Sequence, residues 1–475
     1  MNVLIVSTNC YRMPTPVMPL GACIAAEAAE RAGHSVQLLD MMFQRRPLSV
    51  LRRAVSKARP DVIGFSIRNI DNNDIQNPVE LCAGAPELVA AAAKECDAEL
   101  VIGGAAVGVM PEALLRATGA RWAALGDGEH TLPALLAALS NGADPRRVPG
   151  VAWLEKGKFR KNEPLTGQPL GDCFVPDFPR WLNVRHYISS LCAAPLQTKR
   201  GCPHKCVYCS YAVSEGRRCR LAPPASVVNA VKRLASFGIG DVEFVDNVFN
   251  SPLDHAMEIC RRLAAERLGV RFQTLEMNPK FITDPLLDAM DRAGFVGMAV
   301  NAESASDPVL HGLGKGYTAQ DVHRAAATVR RHQVPCVWIF MCGGPGETPH
   351  TLAETLKFAE RNVRKSDVAF FSLGIRIYPG TPLERTARKQ GVLTVPAAEM
   401  LMPVFYLSPD LDMAWAKEQL NKTAAEHLNY FGPEGLSLPM LPALHRLAWL
   451  MGVRPPLWRH TRIIKRLLRL AGKVR

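Results

Sequence analysis

No stretch of this chain stays uncharged and apolar for the roughly 18 residues that a bilayer-spanning helix needs, which argues against a transmembrane helix. The opening Met1–Ser7 has no basic leader and is only briefly apolar, so no secretory signal is expected. Paired cysteines are missing too: the count is 13, odd and scattered, which argues against a disulfide framework and for a reducing cytoplasm. No Gly-x-Gly-x-x-Gly occurs, so a nicotinamide or flavin fold loses its main support. Acidic residues are absent from Arg454 to Arg475, where eight basic residues fall. Much of the net charge of +13 is therefore local to the tail, and no nucleic-acid partner is expected. A disordered composition is lacking as well: 48% hydrophobic and 21% charged residues over 475 positions support two or three packed domains.

What is present is concentrated in Lys199-Arg200-Gly201-Cys202-Pro203-His204-Lys205-Cys206-Val207-Tyr208-Cys209. Cys202, Cys206 and Cys209 fall at i, i+4 and i+7, and Gly201 and Pro203 oppose one continuous helix, so a loop is expected. Three thiolates so close converge on one soft metal centre, and an iron-sulfur cluster is the natural candidate. Three ligands leave one iron of a four-iron cube without a protein donor, which suits a cluster that binds a substrate. A zinc knuckle or three core cysteines are the alternatives.

Around this loop the chain alternates. Asn2–Ser7, Ser35–Asp40, 61–66, 99–102 and 121–125 read as strands, with helices at 20–33 and 131–139. Residues 1–145 are thus expected to form a doubly wound Rossmann-like α/β domain whose ligand sits beyond the carboxyl ends of its strands. Gly103-Gly104 marks such an end, or only a tight turn. Residues 146–188, punctuated by prolines, read as a surface linker. From 189 to 395 six strand-helix repeats follow, with strands near 191–198, 241–246, 271–275, 298–302, 336–342 and 368–378, predicting a partial (β/α)6 TIM-like barrel with its chemistry at the carboxyl-terminal mouth. Asp246, Asn278, Glu303, Gly343-Gly344 and Arg376 recur at those strand ends. Each alone is better explained by a cap or turn; together at one rim they favour a site.

Residues 396–475 read as a small, mainly helical region, with a helix near 413–430 and a tail. Phe405, Tyr406 and Trp415 read as core packing, with a lid over the barrel as the other use. Between 457 and 470 apolar and basic residues alternate at helical spacing. Contact with the inner face of an anionic membrane, or with a phosphate-bearing partner, is one reading, and a solvated helix packed on the barrel is the other.

Arg200-Gly201-Cys202-Pro203-His204-Lys205-Cys206-Val207-Tyr208-Cys209-Ser210 resembles the signature of the radical S-adenosylmethionine (SAM) enzymes. Met18-Pro19-Leu20-Gly21, Phe65–Asn72, Gly103-Gly104 and Gly126–Glu129 are similar to the amino-terminal domain of their cobalamin-binding branch. That resemblance implies a 4Fe-4S cluster on Cys202, Cys206 and Cys209, with SAM contacted by Tyr208, Asp246, Asn278, Glu303, Gly343, Gly344 and Arg376. It implies cobalamin held by Pro19, Leu20, Gly21, Ser66, Arg68, Asn69, Gly103, Gly104, Gly128 and Glu129. The loop from Ser7 to Gly21 lacks Asp-x-His-x-x-Gly, so no histidine from it is expected on cobalt. The activity implied is methylation of an unactivated carbon of a small-molecule or lipid-like substrate through a 5'-deoxyadenosyl radical and methylcobalamin, fed by an external donor such as flavodoxin or ferredoxin. Transfer of a 3-amino-3-carboxypropyl group, cyclisation or rearrangement, and a non-enzymatic cobalamin or redox sensor are the alternatives. An RNA methylthiotransferase fits less well, because Cys10, Cys23, Cys82 and Cys96 are scattered.

Overall fold

The apolar run Val3-Leu4-Ile5-Val6 is buried on both sides, as a central parallel strand requires. The computed structural model describes residues 1–165, 168–434 and 441–470, with side chains given as far as 466. Val3 and Ile5 pack in one apolar cluster and Leu4 and Val6 in another, the period-2 signature of a sheet covered by helices on both faces. The strands are β1 (Asn2–Ser7), β2 (Ser35–Asp40), β3 (Val62–Ser66), β4 (Glu99–Gly103) and β5 (Trp122–Ala124), parallel in the order β2-β1-β3-β4-β5. The order reverses at β1 and β3, where such sheets open a ligand crevice.

The expected linker is partly structured. Val151–Glu155 (β6) and Lys158–Lys161 (β7) form an antiparallel hairpin that extends the first sheet past β5. The backbone groups of β5 would otherwise form an open edge, and Gly157 supplies the positive φ of the hairpin turn.

The second sheet is built from β8 (Ala194–Leu196), β11 (Asp241–Phe244), β12 (Arg271–Met277), β13 (Phe295–Glu303), β14 (Cys336–Cys342), β15 (Val368–Leu373) and β18 (Tyr430–Phe431), all parallel. Two short ladders complete the strands: β9 (Lys199–Arg200) with β10 (Arg220–Leu221), and β16 (Ile375–Arg376) with β17 (Phe405–Tyr406). Six strands match the expected repeats, and β18 is a seventh that the sequence reading missed. Tyr430-Phe431 is too short to carry a period. β8 and β18 are not paired, so the barrel is open among the described residues.

The helix near 413–430 ends at Glu426, and Tyr406 is buried in the core rather than covering the mouth. A further helix, Leu441–Leu450, was not foreseen. The tail helix Thr461–Leu470 packs on the barrel through Lys465, whose ammonium donates to the carbonyls of Ala424 (3.2 Å), His427 (3.2 Å) and Tyr430 (2.6 Å). Arg469, Lys473 and Arg475, expected to add to its charge, lie outside the described side chains. No helix among the described residues is long and apolar enough to cross a membrane.

Candidate functional site

The three cysteines sit on a loop fixed from several directions. Gly201 has φ +78°, and a Cβ there would collide with the Arg218 carbonyl, so glycine is demanded where the chain leaves β9. The Cys202 amide donates to Gly216 O (3.1 Å), Val207 to Leu313 O (3.0 Å) and Leu383 to Val207 O (2.9 Å). Asp246 anchors the stem: its carboxylate accepts from the Thr198 amide (2.6 Å), the Thr198 hydroxyl (2.6 Å) and the Lys199 amide (3.1 Å). Burial pushes the Cys202 thiol up and that of Cys209 to about 12. Such thiols keep their protons until a cation takes the thiolates, and a set of three sulfur donors fits a cluster.

Beside the loop lies a charged group that the sequence showed only in part. Tyr208 Oη donates to Glu303 Oε1 (2.9 Å), while Lys315 Nζ donates to Tyr208 Oη (2.9 Å) and to Glu303 Oε1 (3.0 Å). Burial opposes the charge on Lys315, but Glu303 and Tyr208 raise its pKa well above the usual lysine value. Burial and then Glu303 push the Tyr208 phenol up, so Tyr208 donates as a neutral phenol beside the Lys315 ammonium. Glu303 Oε2 is buried without a partner, and Glu303 holds φ +57° at the end of β13. A non-glycine residue in that region is strained, and such strain gathers at binding sites. Asn301 Oδ1 is likewise unpartnered while its amide donates to Glu276 (2.5 Å), whose carboxyl is pushed up to about 7 by burial first and then by Glu303. Two buried acceptors without donors fit a ligand rich in N–H and O–H groups.

A cavity of about 850 Å³ lies between the two domains. Tyr208, Cys209 and Tyr211 of the cysteine loop line it from one side, and Arg68, Asn69 and Ala105 of the first domain from the other. Arg376 also lines it, but its guanidinium is fully engaged: it donates to Asp71 Oδ2 (2.7 Å), to Ile377 O (2.8 Å) and to Met400 O (2.5 Å). It works as a strut between domains. Asn278 Oδ1 accepts from the Lys280 amide (2.9 Å), a turn contact, and Gly343 donates to Glu347 (3.2 Å). A Cβ on Gly344 would strike Leu313 at 2.8 Å.

A second cavity, about 280 Å³, opens at the carboxyl ends of β1, β3, β4 and β5. Leu20, Gly21, Ser66, Gly103, Gly104, Gly128 and Glu129 line it, so most of the residues expected to hold cobalamin share one wall; Pro19 does not line it, and Arg68 and Asn69 face the larger cavity. A Cβ on Gly21 or Gly128 would enter open space, which makes this a cradle kept empty of side chains. The helices Leu20–Arg31 and Gly128–Ser140 both begin here and turn their amide ends toward it. Glu129 binds Arg200 (2.5 Å), Asp127 binds Arg200 (3.1 Å), and Arg220 also pairs with Asp127. Burial opposes the Asp127 charge, yet Arg220 and Arg200 hold its pKa below the usual range. The cradle is thereby tied to a residue two positions before Cys202. Sequence reasoning missed Lys315, the role of Asp71 and this pairing of Arg200; Arg200 inside the cysteine signature and Asp71 inside Phe65–Asn72 carried a local signal, and Lys315 carried none.

Residues 196–359 match the Radical SAM superfamily and residues 9–136 match the B12 binding domain. The chain is 27% identical to an uncharacterized methyltransferase of Pyrococcus horikoshii over 77% of each chain. It is 22% identical to the tryptophan 2-C-methyltransferase of Streptomyces laurentii over 82% of this chain and 75% of that one. Among solved structures, the radical SAM methyltransferase TsrM from Kitasatospora setae, with cobalamin and a 4Fe-4S cluster bound, superposes with a TM-score of 0.87 at 24% identity over 99% of both chains. That likeness shows the same two-domain fold.

Proposed function

From a chain that joins a B12-binding domain to a radical SAM domain, we propose a cobalamin-dependent radical SAM enzyme that methylates an unactivated carbon of a small-molecule or lipid-like substrate. The observation that carries this reading is the shared wall of the interdomain cavity: Cys209 and Tyr208 face Arg68, Asn69 and Ala105 across about 850 Å³. When bound, the cluster and cobalamin supply sulfonium cleavage and methyl carriage, respectively. The methyltransferases among the relatives support the methyl-transfer reading.

In this proposal the side chains position and desolvate. Cys202, Cys206 and Cys209 hold the cluster, and the Gly201 turn and the Leu313 and Leu383 contacts keep their loop still. Glu303 offers Oε2 to a donor group of SAM, because Tyr208 and Lys315 already saturate Oε1. Lys315 keeps its proton on Nζ and fixes Glu303 through Oε1. Asn278, Gly343 and Gly344, which follow the carboxyl ends of β12 and β14, are assigned the remainder of SAM, while Asp246 and Arg376 serve it by fixing the loop stem and the domain interface. Gly21, Ser66, Gly103, Gly104 and Gly128 leave room for the tail of cobalamin. The electron comes from an external carrier of the flavodoxin or ferredoxin kind.

The test is anaerobic reconstitution with iron, sulfide and cobalamin, followed by reaction of candidate substrates with SAM bearing a trideuteromethyl group. Transfer of the labelled methyl to a product carbon, with iron and cobalamin retained, is expected. Products carrying a 3-amino-3-carboxypropyl group, or rearranged without added mass, would replace the methyl-transfer step. Protein that retains neither iron nor cobalamin would overturn the whole reading.

A further inference from the structure

The segment from Leu441 onward contains no acidic residue, and its basic residues include Arg446, Arg454, Arg459, Arg462 and Arg466. Its inner side is well seated. His445 is buried in the helix Leu441–Leu450, Trp449 and Arg454 line a groove with Gly238–Asp241 at the start of β11, and Arg454 pairs with Asp241 (3.0 Å). The Trp458 ring lies flush on Gly297, where a Cβ would meet it at 2.5 Å. These contacts hold the segment against the strand-start end of the barrel, opposite the mouth that carries the cysteine loop.

The outer side is unlike an ordinary solvated face. Leu444, Leu447, Leu450 and Met451 are 42%, 55%, 69% and 71% exposed. On a helix of 3.6 residues per turn Leu444, Leu447 and Met451 project from one face with Leu450 beside it, so the exposure is a stripe rather than scattered single residues. In the tail helix Thr461–Leu470, Ile463 is 63% exposed between exposed Arg462 and Arg466, and Arg459 is exposed one turn earlier. Asp241, the acidic residue against this segment, is engaged by Arg271 and Arg454.

We infer that the helices Leu441–Leu450 and Thr461–Leu470 dock this protein on an anionic lipid surface, with Leu444, Leu447, Leu450 and Met451 entering the acyl boundary and Arg446, Arg459, Arg462 and Arg466 meeting the headgroups. An apolar stripe flanked by cations without acids is the pattern of an interfacial amphipathic element. A nucleic-acid surface would make no use of four exposed aliphatic side chains. Because the patch is at the strand-start end, docking leaves the barrel mouth and the first domain turned away from the lipid. The inference does not depend on which reaction the barrel performs.

Flotation of the reconstituted full-length protein with vesicles tests it, using phosphatidylcholine alone and phosphatidylcholine mixed with phosphatidylglycerol. Binding to the mixed vesicles is expected, falling as salt is raised and absent from neutral vesicles at high salt. The double variant Leu447→Asp/Met451→Asp should lose flotation while keeping the iron content and melting temperature of the parent, and Leu447→Gln/Met451→Gln should weaken it. Arg462→Gln/Arg466→Gln should reduce affinity about thirtyfold, at roughly fivefold for each charge near the surface. Failure to float with anionic vesicles overturns the inference, as does flotation that the Leu447→Asp/Met451→Asp variant retains. A lipid-free dimer that this variant dissociates, in a protein that does not float, would assign the face to a second copy of the chain instead.

Discussion

The two sheets each open a site beyond the carboxyl ends of parallel strands, and they build it by opposite means. In the first domain the site exists because side chains are missing: Gly21, Gly103, Gly104 and Gly128 surround about 280 Å³. In the barrel the site exists because charges are buried and mutually compensated: Tyr208, Glu303 and Lys315 at the rim, Asp71 and Arg376 at the domain seam. The first kind of site answers to volume and the second to charge balance. A substitution should therefore act sterically in one domain and electrostatically in the other.

The largest effect is expected at the cysteine loop, where neither rule applies and the metal itself is lost. Replacing Cys202, Cys206 and Cys209 together by alanine should reduce iron content and methyl transfer to background while the first domain still retains cobalamin, as read by metal analysis and absorbance. Next comes the charge rule at the seam. Arg376→Met should cost about 3–5 kcal/mol in denaturant unfolding, because it strands a buried Asp71 carboxylate. An isosteric replacement that cost nothing would break the comparison, since volume alone would then govern both sites.

Glu276 sharpens the charge rule through pH. Its carboxyl is raised from 4.5 to about 7, by burial first and then by Glu303. A raised acid costs no stability below its unfolded value, and the cost grows as pH rises toward the folded value and is complete above it. Glu276→Gln should therefore gain about 2 kcal/mol relative to the parent between pH 5 and pH 8, measured as the change in unfolding free energy of the cofactor-free protein. The glycine cradle gives the smallest shifts. Gly104 sits at φ +98°, ψ 175°, and a Cβ there would lie 2.6 Å from Ile67 O, so Gly104→Ala should cost about 1–3 kcal/mol. Gly21→Val meets open space and should leave the melting temperature unchanged while cobalamin retention falls. If the Gly21→Val protein retained cobalamin as the parent does, the cradle would not be the site of the cofactor's tail.

The fold was largely legible, and the reasons are local. Alternation of apolar strands with helices of period 3.6 marks each repeat, and three cysteines within eight residues need no tertiary partner to be noticed. The candidate site was legible where a motif carried it, as with Tyr208 inside the cysteine signature and Gly103-Gly104 at the end of β4. It was illegible where function depends on pairing across the chain. Arg376 and Asp71 are 305 positions apart, and nothing near either says that it is a strut. Lys315 lies in a Gly-Leu-Gly-Lys turn with no signature, although it completes the Glu303 triad. The hairpin of β6 and β7 was hidden because prolines on either side read as linker, and β18 because two residues carry no period.

The sequence alone determined which residues become strands and helices and which sulfur atoms gather, because those depend on spacing within a turn or two of chain. The tertiary structure decided which polar groups face each other over long separations, which glycines border empty space, and which leucines near the carboxyl end are left outside. Those outcomes depend on what packs opposite, and burial is a property of the assembled surface rather than of any one stretch of chain.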